Sequence, residues 1–392
     1  MTKYIDLLRE HQPDVNKEKR SSQTTANPYS QKPEDDDQAF ADIDILLEEQ
    51  ETPDAPLSLY AQEDPMAASW ADEPQIPTPS HTGHGFDLHT WLKHIEQHLA
   101  QIFSAVHHDK PFNIHALHKQ LEVLFDQIQT SPKVIDALEL EINLHLQSNL
   151  NTMHHADLVQ KSILMMLYTI KLGQELQLQF QELLSYTIAA MLHHLGMAMV
   201  PTDIRQKPDK LSNDEWQRIK QAPQQALHYL RKHHIQHEQL ALALQQGAER
   251  YDGSGPLQLK GHDIAWVARL VSLLSMFEAL IHIRPYRQRL LPRDAIREIV
   301  KRHKKEFDPK ILKALIESIS LYPVGTFVQL NTGEIGQVVG VHNKFPLRPI
   351  VHIHLNKQGQ EIAERKIDLK KQPNLMIQKC MYEESIAELT QA

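Results

Sequence analysis

The sequence predicts a mainly α-helical protein with a disordered acidic N-terminal tail and a small C-terminal antiparallel β unit. Glycine is scarce, at 13 of 392 residues, whereas the helix formers Leu, Gln, Ala and Glu are abundant. Between about residues 86 and 320, apolar residues recur every three or four positions, which is the period of a helix that buries one face. After Tyr322 the apolar period becomes two, which indicates strands.

Residues 1–85 are predicted to be the disordered tail. They contain 18 acidic and 6 basic residues, a net charge of −12, and nine of the 22 prolines. Such a composition cannot bury enough apolar surface to fold alone. Residues 4–8 and 42–47 share an Ile-Asp-(Leu/Ile)-Leu core, and each could dock on a partner as a short amphipathic helix. Chance similarity within a tail is the simpler interpretation.

Residues 86–150 are predicted to form an N-terminal helical region, and residues 151–320 a larger helical domain. In the first region the apolar faces begin at Trp91, Leu117 and Val134, with breaks at Asn113 and Pro132. In the second, residues 183–195 are almost continuously apolar, as expected of a central buried helix.

Helix starts in the larger domain carry recognisable capping signals. Ser212 followed by Glu215 predicts a capping box, and Asp308 before Pro309 predicts the N-cap of the last helix. Beyond it, residues 321–375 are predicted to form four or five strands, arranged as a short barrel. Residues 376–392 are predicted to be a C-terminal tail.

Composition narrows the class of protein. The single cysteine, Cys380, precludes an intramolecular disulfide and fits a reducing compartment. No apolar run approaches the roughly 20 residues of a membrane span, and the first residues lack a signal-peptide core. Outside the tail the net charge is only about +3, without a basic stripe. We therefore expect a cytoplasmic protein without a membrane span and without a nucleic-acid partner.

Five motifs in a fixed order give the chain a family resemblance. They are Met191-Leu-His-His-Leu-Gly-Met, Ala222-Pro, Glu249-Arg-Tyr-Asp-Gly-Ser-Gly-Pro, Arg284-Pro-Tyr-Arg and Phe307-Asp-Pro. Together they closely resemble the HD-GYP family of metal-dependent phosphodiesterases that cleave cyclic di-GMP. The resemblance extends over about residues 130–372, and it implies an HD-GYP-like helical bundle.

The resemblance implies a metal site of which only part is retained. The family's first His corresponds to His155, with His154 as an alternative, and its second His corresponds to His193. The family's bridging Asp is His194 here. In the family's His-His-Glu triplet only Glu249 remains. The retained metal ligands implied by the family are therefore His155, His193, His194 and Glu249.

Other family positions have changed in chemical kind. The family's Lys is Met197, its His before Pro is Ala222, and its Asp in the following helix is Ser275. Neutral imidazole at His194 offers one lone pair and no charge, so it cannot offset the repulsion between two metal ions as a bridging carboxylate does. We expect no cofactor, or at most one weakly bound divalent ion, iron or manganese.

These observations predict a catalytically degenerate HD-GYP-like protein of bacterial cyclic di-GMP signalling. It would bind an unidentified signalling protein through its tail or its helical body. Cyclic di-GMP is a candidate ligand, with Arg250, Asp252, Arg284 and Arg287 as the residues that would contact it. The segment Arg284-Pro-Tyr-Arg287 could instead be a helix-to-loop junction held by an arginine salt bridge. Two alternatives are a residual phosphodiesterase with a reduced metal site and an unrelated helical adaptor.

Overall fold

The computed structural model describes residues 86–381 except 148–154, 208, 283–289, 320–321, 323, 343–344, 346 and 359. The predicted tail therefore lies outside the described residues, as do Arg284, Arg287 and the last residues of the chain. In chain order the described helices are α1 (Leu88–His107), α2 (Ile114–Thr130), α3 (Val134–Gln147), α4 (Ala156–Glu175), α5 (Phe180–Leu192), α6 (Thr202–Arg205), α7 (Asn213–Lys232), α8 (Glu238–Gln246), α9 (Trp266–Ile281), α10 (Pro292–His303) and α11 (Pro309–Ser318).

The three helices predicted before residue 150 are confirmed as α1, α2 and α3. The side chain of Asp87 caps α1 by accepting from the backbone N–H of His89 at 3.2 Å. Asn113 caps α2 in the same way, through a 3.0 Å bond from His115. The predicted break at Asn113 is thus the N-cap itself, because its short acceptor satisfies an N–H that has no partner within the helix.

Helix α4 is the centre of the bundle. It contacts α1, α3, α5, α9 and α11, and most of its residues from Leu158 to Gly173 are buried. Helix α5 is almost entirely apolar after its first turn and packs beside α4. A helix that is apolar on all sides must be enclosed by others, so this pair forms the core that the sequence predicted.

Both predicted caps are present. The side chain of Ser212 accepts from the N–H of Glu215, whose carboxylate accepts in return from the N–H of Ser212, which completes a capping box on α7. Asp308 caps α11 through bonds to two backbone N–H groups, and Pro309 occupies the first helical position. Proline fits at this position because the N–H groups of the first turn have no acceptor within the helix, so the N–H that proline lacks is not missed there.

The C-terminal unit is one antiparallel sheet of five strands in the order β4-β3-β2-β1-β5. The strands are β1 (Phe327–Leu330), β2 (Ile335–Gly340), β3 (Ile350–Leu355), β4 (Glu361–Asp368) and β5 (Ile377–Met381). Strand β5 lies beyond the predicted end of the β unit at residue 375, and it pairs with β1. The mainly helical class with a small antiparallel β unit is confirmed.

A continuous cluster of buried apolar residues joins the helices to the inner face of the sheet. It includes Leu164 of α4, Phe277 of α9, Leu315 of α11 and Val328 of β1. None of the helices in the described ranges combines the length and the apolar character needed to cross a membrane.

Candidate functional site

His193 lies where α5 ends, and both of its ring nitrogens are engaged. Its Nδ1 lies 2.6 Å from the carbonyl oxygen of Ala190 and its Nε2 lies 2.8 Å from Oγ of Ser275 on α9. A carbonyl only accepts, so Nδ1 carries the proton and Nε2 accepts from the serine hydroxyl. Burial lowers the pKa of His193 to about 4, from an ordinary value of 6.5. The ring is therefore neutral at physiological pH, and its free lone pair is taken by Ser275.

His194 lies directly against His193. The two ring centroids are 3.7 Å apart at an interplanar angle of 41°. The structure thus brings together His193, His194 and Ser275, all at positions where the resemblance places metal ligands. Ser275 stands where the family has a carboxylate. Its hydroxyl donates a hydrogen bond to the imidazole of His193 and brings no negative charge for a metal.

His155 lies at the start of α4 beside a buried arginine. It adopts a left-handed backbone conformation, with φ of 61°, and is 6% exposed. The NH2 group of Arg205 lies 3.1 Å from Nδ1 of His155. A guanidinium can only donate, so Nδ1 of His155 accepts and the neutral ring carries its proton on Nε2. The lone pair on Nδ1 of His155 is therefore occupied by a positively charged side chain.

Arg205 ties several parts of the bundle together. Its NH1 group donates to the carboxylate of Asp157 in the first turn of α4, with the arginine side chain 2% exposed. Its other nitrogens donate to the carbonyl of Val200 and to Oγ1 of Thr202, both at 3.2 Å. The sequence analysis did not single out Arg205. The helix that contains it, Thr202–Arg205, offers no signal of burial, because Thr202 and Asp203 are exposed and only Ile204 is buried.

Glu249 is buried, at 1% exposure, and holds the loop that follows it. One carboxylate oxygen accepts from the N–H of Leu257 at 2.7 Å and the other from the N–H of Leu259 at 3.0 Å. Gly255 packs against it so closely that an added Cβ would lie 2.6 Å from Cα of Glu249. Both oxygens therefore serve the fold of the loop, and glycine is required at position 255.

Arg250 is held by protein groups. Its Nε donates to the carboxylate of Glu306 at 3.1 Å, and its NH1 donates to Oγ of Ser272 at 2.7 Å. Its guanidinium also lies over the ring of Phe307, 5.5 Å from the centroid. Asp252 accepts from the N–H and the hydroxyl of Ser254 and so closes a turn. Arg250 thus links the loop after α8 to Glu306, Ser272 and Phe307, whereas the helix-to-loop junction predicted at Arg284–Arg287 lies outside the described residues.

Two of the altered family positions lie in an apolar cluster. Ala222 on α7 is buried with Val200 and Ile204, and Met197 packs against them. The approach is close, because a Cβ added to Gly196 would lie 1.8 Å from the carbonyl oxygen of Ala222. Hydrocarbon thus fills the space where the resemblance implies a lysine and a histidine.

Three of the four predicted ligands, His155, His193 and Glu249, lie in separate hydrogen-bond networks. These networks are centred on Arg205, on Ser275 and on the loop after Glu249, and His194 packs against the ring of His193. Within the part of the chain that the structure describes, no three His, Cys, Asp or Glu side chains form a group that could hold a metal ion. The donor set does not fit the family's metal centre, because Nδ1 of His155, Nε2 of His193 and both carboxylate oxygens of Glu249 already accept hydrogen bonds from protein groups.

A cleft that was not predicted from the sequence opens beside His155. Its volume is about 480 Å³, and it lies between α1, α7 and the 3₁₀ segment Leu195–Met199. His107 lines the cleft, and its ring centroid is 5.5 Å from that of His155. Gln221, Gln225 and His228 line the opposite wall. Its volume lies within the range of small-molecule sites in proteins.

Comparison with known proteins shows which protein families the chain resembles. Residues 145–311 match the family model described as HD domain, and residues 327–389 match the KOW domain associated with HD domain. The first match extends from the end of α3 into α11, and the second covers all five strands. Residues 145–311 are therefore similar to HD domains, and residues 327–389 are similar to the KOW domain associated with them.

Its relatives refine that assignment. The chain is 28% identical over 202 residues to a cyclic di-GMP phosphodiesterase of Pseudomonas aeruginosa, covering 51% of this chain and 49% of that protein. It is 25% identical over 225 residues to cyclic di-GMP phosphodiesterase PdeB of Borreliella burgdorferi, covering 57% and 55%. The chain thus spans about half the length of these curated relatives.

One solved structure is also similar, a protein of Bdellovibrio bacteriovorus described as an HDG"Y"P protein. It has a TM-score of 0.46 and 16% identity, and the match covers 59% of this chain and 72% of that one. The relatives confirm the resemblance to the family of cyclic di-GMP phosphodiesterases.

Proposed function

We propose that this chain is a catalytically inactive HD-domain protein of cyclic di-GMP signalling that acts by binding a partner protein. One observation carries the proposal: donor atoms of three of the four retained ligands already accept hydrogen bonds from protein groups. Nδ1 of His155 accepts from Arg205, Nε2 of His193 accepts from Ser275, and Glu249 accepts two backbone N–H bonds. A metal would have to break these bonds before it could be held.

Electrostatics supports the same conclusion. Hydrolysis of a phosphodiester by the family's chemistry needs divalent ions to activate water and neutralise the phosphate. Here the carboxylate of Asp157 next to His155 is paired with the guanidinium of Arg205, so its negative charge is already compensated and is not available to a divalent ion. The apolar cluster around Met197 and Ala222 removes further polar contacts.

The proposed mode of action is protein binding, and any cyclic di-GMP binding is weak. Arg250 lies close in sequence to the Asp252 loop. Its Nε and NH1 groups, however, already donate to Glu306 and Ser272. Release of that guanidinium for a phosphate would uncover the carboxylate of Glu306, which opposes binding. We expect no affinity in the micromolar range for cyclic di-GMP.

The alternative is a residual phosphodiesterase with at most one iron or manganese ion on His155, His193, His194 and Glu249. The observation that favours it is the survival of these side chains at the motif positions. It requires Arg205 and Ser275 to rotate away from the imidazoles when metal binds.

Metal content and turnover together test the proposal. The full chain, purified without oxygen, should contain less than about 0.1 metal ion per chain, because the ligand shell is too small to hold one tightly. It should not hydrolyse cyclic di-GMP with manganese, iron or magnesium. Stoichiometric iron or manganese, together with turnover that His193→Ala abolishes, would establish the residual phosphodiesterase instead.

A further inference from the structure

The β unit carries an exposed apolar patch with a basic rim. Among the described residues, five large apolar side chains are exposed, and three of them, Val339, Phe345 and Met376, belong to this unit. Phe345 and Met376 are each 44% exposed. Large apolar groups that gather on a surface often mark a binding site.

Hydrogen bonds bring the two sides of the patch together. The backbone N–H of Arg348 donates to the carbonyl of Phe345 at 2.9 Å, and its guanidinium donates to the carbonyls of Pro373 and Leu375. The loop with Phe345 is therefore fastened to the turn that leads into Met376. We call the surface of Phe345, Met376, Lys370 and Lys371 the Phe345 patch.

Two lysines form the rim of the Phe345 patch. The ammonium of Lys370 lies 4.5 Å from the centroid of the Phe345 ring. Lys371 has an 80% exposed side chain, 3.8 Å from the carboxylate of Asp368, which is also bonded to His342. A segment that presents aliphatic side chains between carboxylates would match this surface, since it covers the apolar centre and pairs with both ammonium groups.

The chain itself contains such a segment. Residues 42–49 read Asp-Ile-Asp-Ile-Leu-Leu-Glu-Glu, with four carboxylates around four aliphatic side chains. The related residues 4–8 are flanked by Lys3 and Arg9 and have no comparable excess of acid. Charge is also complementary on a larger scale, because residues 1–85 carry −12 whereas residues 324–381 hold eight basic and four acidic residues, a net charge of +4.

We infer that residues 42–49 dock on the Phe345 patch of the same chain. The contact covers the β unit's exposed aromatic ring, and a partner protein must displace it to reach either surface. The inference is independent of whether the chain hydrolyses cyclic di-GMP, and it is tested without any nucleotide.

Lysine footprinting of the full chain tests this contact. The amines of Lys370 and Lys371 are acetylated under limiting reagent, with Lys357 of the same β unit as an internal reference. The variant carries Asp42→Lys and Asp44→Lys. The matched control carries Asp14→Lys and Glu18→Lys, which change the tail's charge equally outside the segment.

We expect acetylation of Lys370 and Lys371 to rise about fivefold in the segment variant, because up to two ion pairs are replaced by repulsion between lysines, which releases the segment from the patch. The control should remain at the wild-type rate, and about 0.5 M NaCl should raise the wild-type rate toward that of the variant. Dilution should leave the wild-type rate unchanged if the contact lies within one chain.

Charge exchange gives a second readout that does not rely on those lysines. Lys370→Glu with Lys371→Glu should speed hydrogen exchange around Phe345, and adding Asp42→Lys with Asp44→Lys should restore the slower exchange. Equal acetylation of Lys370, Lys371 and Lys357 in the wild type would overturn the inference. Protection that disappears on dilution would assign the contact to a second copy, and protection that appears only with a single-stranded oligonucleotide would assign the patch to nucleic acid.

Discussion

Replacement of Arg205 by alanine should strongly destabilise the bundle. The guanidinium is 2% exposed and donates to Asp157, His155, Thr202 and the carbonyl of Val200. Removing one partner of a buried ion pair typically costs about 3–5 kcal/mol, because the other charge is left in a poor solvent. The side chain of Asp157 retains 20% exposure, so water can partly solvate it. We therefore expect about 3 kcal/mol, at the lower end of that range.

Urea unfolding and thermal melting of the full chain measure this loss. A decrease of about 3 kcal/mol should lower Tm by about 6–12 °C for a cooperative unit of this size. Arg302→Ala is the matched control, since Arg302 is 66% exposed and pairs with Glu298 one helical turn away. Such a surface pair contributes less than about 0.5 kcal/mol.

A double-mutant cycle separates the ion pair from the remaining contacts. Arg205→Ala and Asp157→Ala should each destabilise, and the double variant should lose less than the sum, with a coupling energy of at least about 1 kcal/mol. If Arg205→Ala unfolds within about 1 kcal/mol of the wild type, or if the two changes add without coupling, Arg205 does not organise this end of α4 and the reasoning fails.

Three further results are expected. Glu249→Gln replaces one acceptor by a donor that faces a backbone N–H, so it should cost about 2 kcal/mol and speed hydrogen exchange at Leu257 and Leu259; unchanged exchange would contradict this role. Gly196→Ala places a Cβ 1.8 Å from the carbonyl oxygen of Ala222 and should lower the urea midpoint by the equivalent of about 2 kcal/mol; a wild-type midpoint would show that the contact can relax. Burial holds the pKa of His193 at about 4, below its ordinary 6.5, so the unfolded chain binds the extra proton between these values. Stability should therefore fall as pH decreases from about 6.5 toward 4, and His193→Gln should reduce the difference between urea midpoints at about pH 7 and pH 4.5; an identical pH dependence in that variant would refute the assignment.

Local patterns predicted the elements whose formation is local. The apolar spacing that begins at Trp91 predicted α1, and Ser212 and Asp308 predicted two helix starts, because periodicity and capping depend on residues a few positions apart. Strand β5 was missed, since it is a short segment whose pairing with β1 is made by residues about 50 positions away in sequence. Its alternation alone is weak evidence for a strand.

The site shows the same limit. The motif order predicted that His193 and Ser275 occupy related positions, and the structure brings them within 2.8 Å. The partner of His155 could not be foreseen, because Arg205 is 50 residues away and nothing in its local sequence indicates burial. Family spacing identifies which positions face one another, whereas the tautomer of each histidine depends on partners supplied by other helices.

The guanidinium beside His155 also changes what the folded state depends on. A protein assembled around iron or manganese has a folded population that follows the free concentration of the ion, by mass action. Arg205 is a residue of the chain that it stabilises, so every molecule contains it at any metal concentration. Under the proposed function, chelators and starvation for transition metals would leave this protein assembled while its metal-dependent relatives lost their ions. The amount of folded protein would then depend on its synthesis and degradation and would not follow the concentration of metal in the cell.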